Sequence, residues 1–176
     1  YHHELDLSTA VNTVTYKIGD TEYTRQSIAS NPDDVIAMYI TASRPEAITI
    51  ELELNLLRNA EVIASGNQLI YTGNAEFEKH GRGGVLFEGR IAVEIKGGTI
   101  KADGKKLLID KATEVTLLSD VRTNYKNTTF AGYDYKQKCK ETIEAAAKKS
   151  FKTLRNTHVE DYAPLFSRVA LSFGDN

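Results

Sequence analysis

Ile48-Thr49-Ile50-Glu51-Leu52-Glu53-Leu54 alternates apolar and polar residues without a fault. A period of two places Ile48, Ile50, Leu52 and Leu54 on one buried face and Thr49, Glu51 and Glu53 toward water. Outward from this run, Phe87 to Ile95 repeats the pattern, with Phe87, Ile91, Val93 and Ile95 facing one way and Glu88, Arg90 and Glu94 the other. Val35-Ile36-Ala37-Met38-Tyr39-Ile40 is apolar throughout, which predicts a strand covered on both faces. Turn residues fall between such runs at Gly19-Asp20, Ser65-Gly66-Asn67, Gly97-Gly98 and Asp103-Gly104. Glycine there supplies the positive φ of tight hairpins. Short strands joined by tight turns over residues 10–121, with no βαβ alternation, predict an antiparallel β-sandwich.

The pattern changes after Thr123. Asp134 is placed to cap a helix, with Gln137 at the reciprocal position of a capping box. Tyr135, Cys139, Ile143, Ala146, Ala147, Phe151 and Leu154 recur at helical spacing, opposite Lys138, Lys140, Glu141, Glu144 and Lys148. A second helix is expected to start at Thr157, with Glu160 three residues on, and Pro164 to keep it short. Arg168 to Phe173 alternates again and predicts a return strand. The expected fold is mainly β: an antiparallel, super-sandwich-like β-sandwich over 1–125, then a helical connector and last short strand over 126–176. The two segments are expected to form one structural unit.

The 176 residues carry 22 Lys+Arg against 24 Asp+Glu, a formal net charge of -2. That balance gives no electrostatic reason for a nucleic-acid partner. No stretch approaches the roughly 20 apolar residues of a membrane span, and the start does not have the form of a signal peptide. A single cysteine, Cys139, excludes an intramolecular disulfide. It lies on the apolar stripe without an activating base in view, so a buried structural thiol is expected.

Other chemistry is thinly supported. Glu51 and Glu53 stand roughly 6.6 Å apart along one strand face, a spacing compatible with an inverting glycosidase. A catalytic pair needs one carboxyl with a raised pKa, however, and the clean alternation predicts a solvated face. His80-Gly81-Arg82-Gly83-Gly84 could cradle a phosphate, but a strand pattern follows where a helix is needed, so an inter-strand loop is expected. His2 and His3 point to opposite faces of a strand and do not suit one metal ion. Tyr125, Phe130, Tyr133 and Tyr135 could together offer an aromatic platform to a sugar ring, with packing against the helices as the alternative. Asn127-Thr128-Thr129 fits the N-glycosylation pattern.

Two segments resemble a known family. Tyr1-His2-His3-Glu4-Leu5-Asp6-Leu7-Ser8-Thr9-Ala10, continuing through Val14-Thr15-Tyr16, Tyr23-Thr24-Arg25 and Ala29-Ser30-Asn31-Pro32-Asp33-Asp34-Val35, is similar to glycoside hydrolase family 95. That family comprises α-L-fucosidases and also α-L-galactosidases. His158-Val159-Glu160-Asp161-Tyr162-Ala163-Pro164-Leu165-Phe166-Ser167-Arg168-Val169 resembles the helical connector that closes its N-terminal domain. Gly97-Gly98, Thr123-Asn124-Tyr125 and Cys139 fall between them in compatible order. His2-His3 departs from the family, which more often has basic residues there.

The resemblance implies an N-terminal β-sandwich whose first strands precede Tyr1 and whose catalytic helical barrel follows Asn176. The acid and base groups of the family lie in that barrel, so no catalytic residue is carried over, no cofactor or metal is implied, and this chain alone is expected to be inactive. The implied partners are the barrel of the parent polypeptide and fucosylated or galactosylated glycans, with a periplasmic or extracellular location. His158, Asp161, Tyr162, Phe166 and Arg168 are then domain-interface residues, with His158 hydrogen-bonding Asp161 and Arg168 pairing with a carboxylate. A sandwich begun partway would leave an unpaired edge, which predicts a homodimer. A stand-alone carbohydrate-binding sandwich and a structural interaction module are the competing readings.

Overall fold

Hairpin turns carry the chain back and forth through β1 (His2–Asp6), β2 (Val11–Ile18), β3 (Thr21–Ser30) and β4 (Val35–Ala42). It crosses to β5 (Ile48–Glu53) and returns through β6 (Ala60–Ser65), β7 (Gln68–Ala75) and β8 (Val85–Lys96). After β9 (Thr99–Asp103) and β10 (Lys106–Ala112), β11 (Glu114–Thr123) re-enters the middle of the first sheet, and α1 (Tyr135–Ala147) and α2 (Phe151–Phe166) follow. The structure, a computed structural model, describes residues 1–57, 60–75, 84–125, 133–170 and 174. The strands form an eight-stranded sheet ordered β1-β2-β3-β4-β11-β8-β7-β6 and a three-stranded sheet ordered β5-β10-β9. All the pairings are antiparallel, as expected of a β-sandwich.

The large sheet is buried on both faces. Ile40, Leu69, Val93 and Val115 pack against Ile48, Leu107, Ile109 and Ala112 of the small sheet. On the opposite face Val11, Ile28, Val35, Ala37, Ala92 and Leu118 meet Ile143 and Ala146 of α1 and Phe151 and Leu154 of α2. The helices are therefore a third layer and not an appendage to the sandwich. Period two in β5 is as expected: Ile48 is buried, while Thr49, Glu51 and Glu53 face water. The unbroken apolar run of β4 is explained by its place between two layers, with one exception. Ile36 is 60% exposed, because three short strands cover only part of that face. Glu88 departs in the other direction: α1 covers its face, so it is buried and paired with Arg90 at 2.8 Å.

Two glycines are fixed by close approach. Gly98 has φ +70° and a Cβ there would lie 2.2 Å from the Asp110 carbonyl oxygen. Gly89, in the middle of β8, receives the Tyr71 ring where a Cβ would lie 2.0 Å from it, so its side of the strand is filled by a neighbour's aromatic ring.

The helical region differs from expectation at four points. The stripe from Cys139 to Leu154 belongs to two helices, broken at Lys148-Lys149-Ser150, and α2 starts at Phe151 and not at Thr157. Ser150 caps it by accepting from the Thr153 amide at 3.1 Å, which satisfies an amide with no partner inside the helix. Thr157 instead donates its hydroxyl to the Thr153 carbonyl within the helix. Asp134 does cap α1, accepting from Lys136 and Gln137, but the Gln137 side chain reaches forward to Glu141 and completes no capping box. Pro164 lies in the last turn of α2, where only the Glu160 carbonyl loses an amide, and the helix runs on to Phe166. Residues 167–168 form a turn and 169–170 no regular structure; the rest of the expected return strand, 171–173, lies outside the described residues.

Ser150→Ala is expected to lower stability by about 1 kcal/mol, whereas Thr157→Ala should change it by less than about 0.5 kcal/mol. Leu154→Ala, at a fully buried position, should cost about 2–5 kcal/mol. Urea unfolding of the three variants measures all of these; a Thr157→Ala loss as large as that of Ser150→Ala would contradict the observed helix start.

Candidate functional site at the second helix

Three of the residues expected at a domain interface, His158, Tyr162 and Phe166, lie on one side of α2. They recur every four residues, which stacks them along one helix face. The His158 and Tyr162 rings are 6.0 Å apart and inclined by 14°, and the Tyr162 and Phe166 rings 5.8 Å apart and inclined by 23°. The ladder runs from inside to outside: His158 is buried, Tyr162 half-buried and Phe166 exposed.

Its inner half is fastened to the β1–β2 connection. A ring nitrogen of His158 bonds the Thr9 carbonyl at 3.0 Å, and the Tyr162 hydroxyl donates to the Leu7 carbonyl at 3.0 Å. Those carbonyls belong to a turn held by Asp6, which accepts from the Ser8 amide and from the Ser8 and Thr9 hydroxyls at 2.7–2.9 Å. These hydrogen bonds hold the Asp6 carboxyl below its usual pKa. Asp161, one residue along the helix, accepts from the Asn31 amide at 3.2 Å. His158 therefore bonds the backbone of the turn and not Asp161, because the two side chains leave the helix toward different neighbours. Arg168 is exposed and pairs with no carboxylate among the described residues.

The β3–β4 turn supplies a second set of fastenings. Lys149, in the corner between the helices, bonds Asp33 at 2.5 Å, and Asp33 also accepts from Ser30 at 2.6 Å. Arg122 on β11 joins Asp34 to Asp120, with Nε at 2.7 Å from the Asp120 carboxylate. Burial works against the Arg122 charge, but hydrogen bonds to Asp120 and Asp34 outweigh it and raise its pKa. Glu88, Asp120 and their arginines thus carry buried charge under α1 with each carboxylate paired, as a dry environment requires.

The remaining sequence candidates do not converge. Tyr133 and Tyr135 line one shallow depression of about 390 Å³ with Asp134 and Lys136, and the Lys136 ammonium lies 6.0 Å from the centre of the Tyr135 ring. Tyr135 is not among the buried residues of α1, whose buried stripe begins at Cys139. Tyr125 is exposed and does not line that depression. Phe130, the loop at 80–83 and the glycosylation pattern at 127–129 lie outside the described residues. Glu51 and Glu53 share a single counter-ion, Lys106, at 2.6 and 3.1 Å on a solvated face, and Lys106 is held more basic by them. His2 bonds Glu4, while His3 turns to Asn12.

Cys139 is fully buried, its thiol 3.5 Å from the Asp120 carbonyl oxygen. Burial and the nearby Asp120 push it up to about 12 from an ordinary 9.0. The folded state therefore keeps a proton that the unfolded chain releases, so this thiol lowers stability as pH rises from about 9 to about 12. A Cys139→Ala variant should show a shallower alkaline loss of stability in that window. At pH 8 the native thiol should not react with an aromatic disulfide reagent, while the denatured chain should react stoichiometrically. In a separate test, Tyr162→Phe is expected to cost about 0.5–1.5 kcal/mol. Combined with His158→Leu it should be non-additive, because both side chains hold the same turn; strict additivity in denaturant unfolding would show that they act independently.

Comparison with known proteins gives this geometry a setting. The family model described as "Glycosyl hydrolase family 65, N-terminal domain" matches residues 1–128. "Alpha-L-fucosidase 2" of Arabidopsis thaliana is 30% identical over 197 aligned positions, covering 97% of this chain and 23% of its own. "Probable alpha-fucosidase A" of Aspergillus niger is 28% identical, covering 99% of this chain and 23% of its own. This chain thus spans about a quarter of the length of these relatives. A solved structure titled "Putative kojibiose phosphorylase from human microbiome" superposes with a TM-score of 0.56 at 13% identity, over 91% of this chain and 24% of that one, a likeness of fold. The family model spans the strands of the sandwich and more than half of the chain, and the chain belongs to the glycosyl hydrolase family 65 N-terminal domain family.

Proposed function

We propose that this chain is the non-catalytic N-terminal part of a fucosidase-type glycoside hydrolase of the family 95 kind, and that it braces the remainder of the enzyme through the outer end of α2. The carrying observation is the ladder His158–Tyr162–Phe166, fastened at its inner end and exposed at its outer end. Leu165 and Val169 are exposed beside Phe166 in the sequence, and Leu5 and Leu7 are exposed on the strand and turn that Tyr162 grips. Large apolar side chains on so firmly anchored a segment favour a packing surface over a solvated one. The fucosidase names of two relatives about four times as long support the parent activity, with fucosylated or galactosylated glycans as its substrates. His158, Tyr162 and Phe166 position α2 in this reading, and Arg168 is left available to a carboxylate of the partner surface.

The purified chain is expected to release no fucose from a nitrophenyl α-L-fucoside or a fucosylated oligosaccharide; turnover that survives rigorous purification would overturn the non-catalytic assignment. It should also bind an apolar fluorescent dye, and the double variant Leu165→Ser/Phe166→Ser should reduce that binding with little change in the unfolding midpoint. An unchanged dye signal would place the sticky surface elsewhere. The edge strand β1 supports an accompanying dimer, for which light scattering at high concentration should give twice the monomer mass.

A further inference from the structure

Where the corner between α1 and α2 ends, the helix-side face of the large sheet opens into a groove of about 670 Å³. One register row across four strands, Gln26, Tyr39, Thr116 and Glu94, forms its floor. The first turns of α2 form its wall, with Phe151, Lys152 and Arg155. Tyr39 stacks on Phe151 with ring centres 4.9 Å apart, so floor and wall are joined by a rigid aromatic pair.

Half of the charged side chains lining the groove are already matched. The Tyr39 hydroxyl donates to one oxygen of Glu114 at 2.5 Å and Lys96 donates to the other at 2.8 Å. Burial, and then Glu114, push the Tyr39 phenol up to about 12, while the bonds from Lys96 and Tyr39 hold Glu114 below its usual range. This trio is a neutral phenol, a carboxylate and its counter-ion. Lys149 is occupied by Asp33.

Two cations remain. Neither Lys152 nor Arg155 has a carboxylate partner among the described residues. Arg155 has the sharper need, because its Nε is buried with no hydrogen-bond acceptor. A buried guanidinium donor without an acceptor is costly, and a planar fork suits a carboxylate or sulfate. The side chains of Gln26 and Thr116 likewise hydrogen-bond no described residue, and both residues line the same space. The volume falls within the range of small-molecule sites and greatly exceeds that of a lone ion. The side chains of Gln26 and Thr116 and the Glu94 carboxylate, in a row beside the two cations, match a polyhydroxylated molecule with one acidic group: the row offers hydrogen bonds to hydroxyls, and the two positive charges exceed the one negative charge of Glu94.

We propose that this groove binds a saccharide carrying a carboxylate or sulfate group. Arg155 and Lys152 take the acidic group, and Gln26, Thr116 and Glu94 take hydroxyls. The site lies against the α1–α2 corner, is built from different residues than the outer end of α2, and does not depend on the docking role assigned there.

Isothermal titration of the whole chain at low ionic strength tests this with digalacturonate, a sulfated disaccharide, a neutral disaccharide and sodium sulfate. At least one acidic disaccharide should bind at least about tenfold more tightly than the neutral one, and the tighter of the two identifies the acidic group. Arg155→Gln should weaken that binding about tenfold or more. Lys152→Gln, at an exposed position, should weaken it with an unchanged unfolding midpoint, which separates loss of the site from loss of the fold. Equal affinity for the neutral sugar, no heat with either acidic sugar, binding of sulfate ion as tight as that of the saccharides, or wild-type affinity in both variants would each overturn the proposal.

Discussion

The burial of the large sheet on both faces is the constraint on which the rest of the structure depends. β4, β11 and β8 lie at its centre, and each must present side chains to the small sheet and to the helices at once. Such strands lose hydrophobic stabilisation if either outer layer is removed, so the small sheet and the helical pair are both integral to the fold. It also explains the buried charges. Once α1 covers the face of Glu88 and Asp120, these carboxylates keep their charge only through Arg90 and Arg122.

The same constraint positions the functional surfaces. The helices must lie across the sheet with Ile143, Ala146, Phe151 and Leu154 turned inward. The break between them is closed by the Ser150 cap, and both helices pack on the same face of the sheet. α2 then runs past the end of β1, and its ladder of rings reaches the β1–β2 turn, where two backbone carbonyls accept from His158 and Tyr162. At its other end the helix leaves part of the sheet uncovered, and the groove at Tyr39 and Arg155 is the result. One helix placement thus produces an anchored apolar end and an open polar groove.

Much of this was legible in the residues. The alternation of β5, the apolar run of β4 and the glycine turns are local signals, and they give antiparallel strands without knowledge of their partners. The apolar stripe from Cys139 to Leu154 was equally legible, but not the break within it. A helix of 3.6 residues per turn keeps the same stripe in phase across a short corner, so periodicity alone cannot show that Lys148–Ser150 interrupts it. The exposure of Ile36 was hidden for a related reason: the sequence of β4 carries no record of how far a sheet built from β5, β9 and β10 extends over it. Gly89 offered no turn signal either, since its need for glycine arises from the Tyr71 ring of the neighbouring strand.

The sequence by itself determined the strand-rich class, the hairpin connections, the amphipathic helices and the buried state of Cys139, because each follows from side-chain periodicity or turn chemistry within a few residues. The tertiary structure alone decided which carbonyl His158 would bond, that Asp161 would meet Asn31, that Glu88 would be buried, and that Arg155 would line a groove without an acceptor. These partners lie tens to more than a hundred residues apart in the chain. Their meeting depends on where packing sets the helices on the sheet, and no local pattern encodes that position.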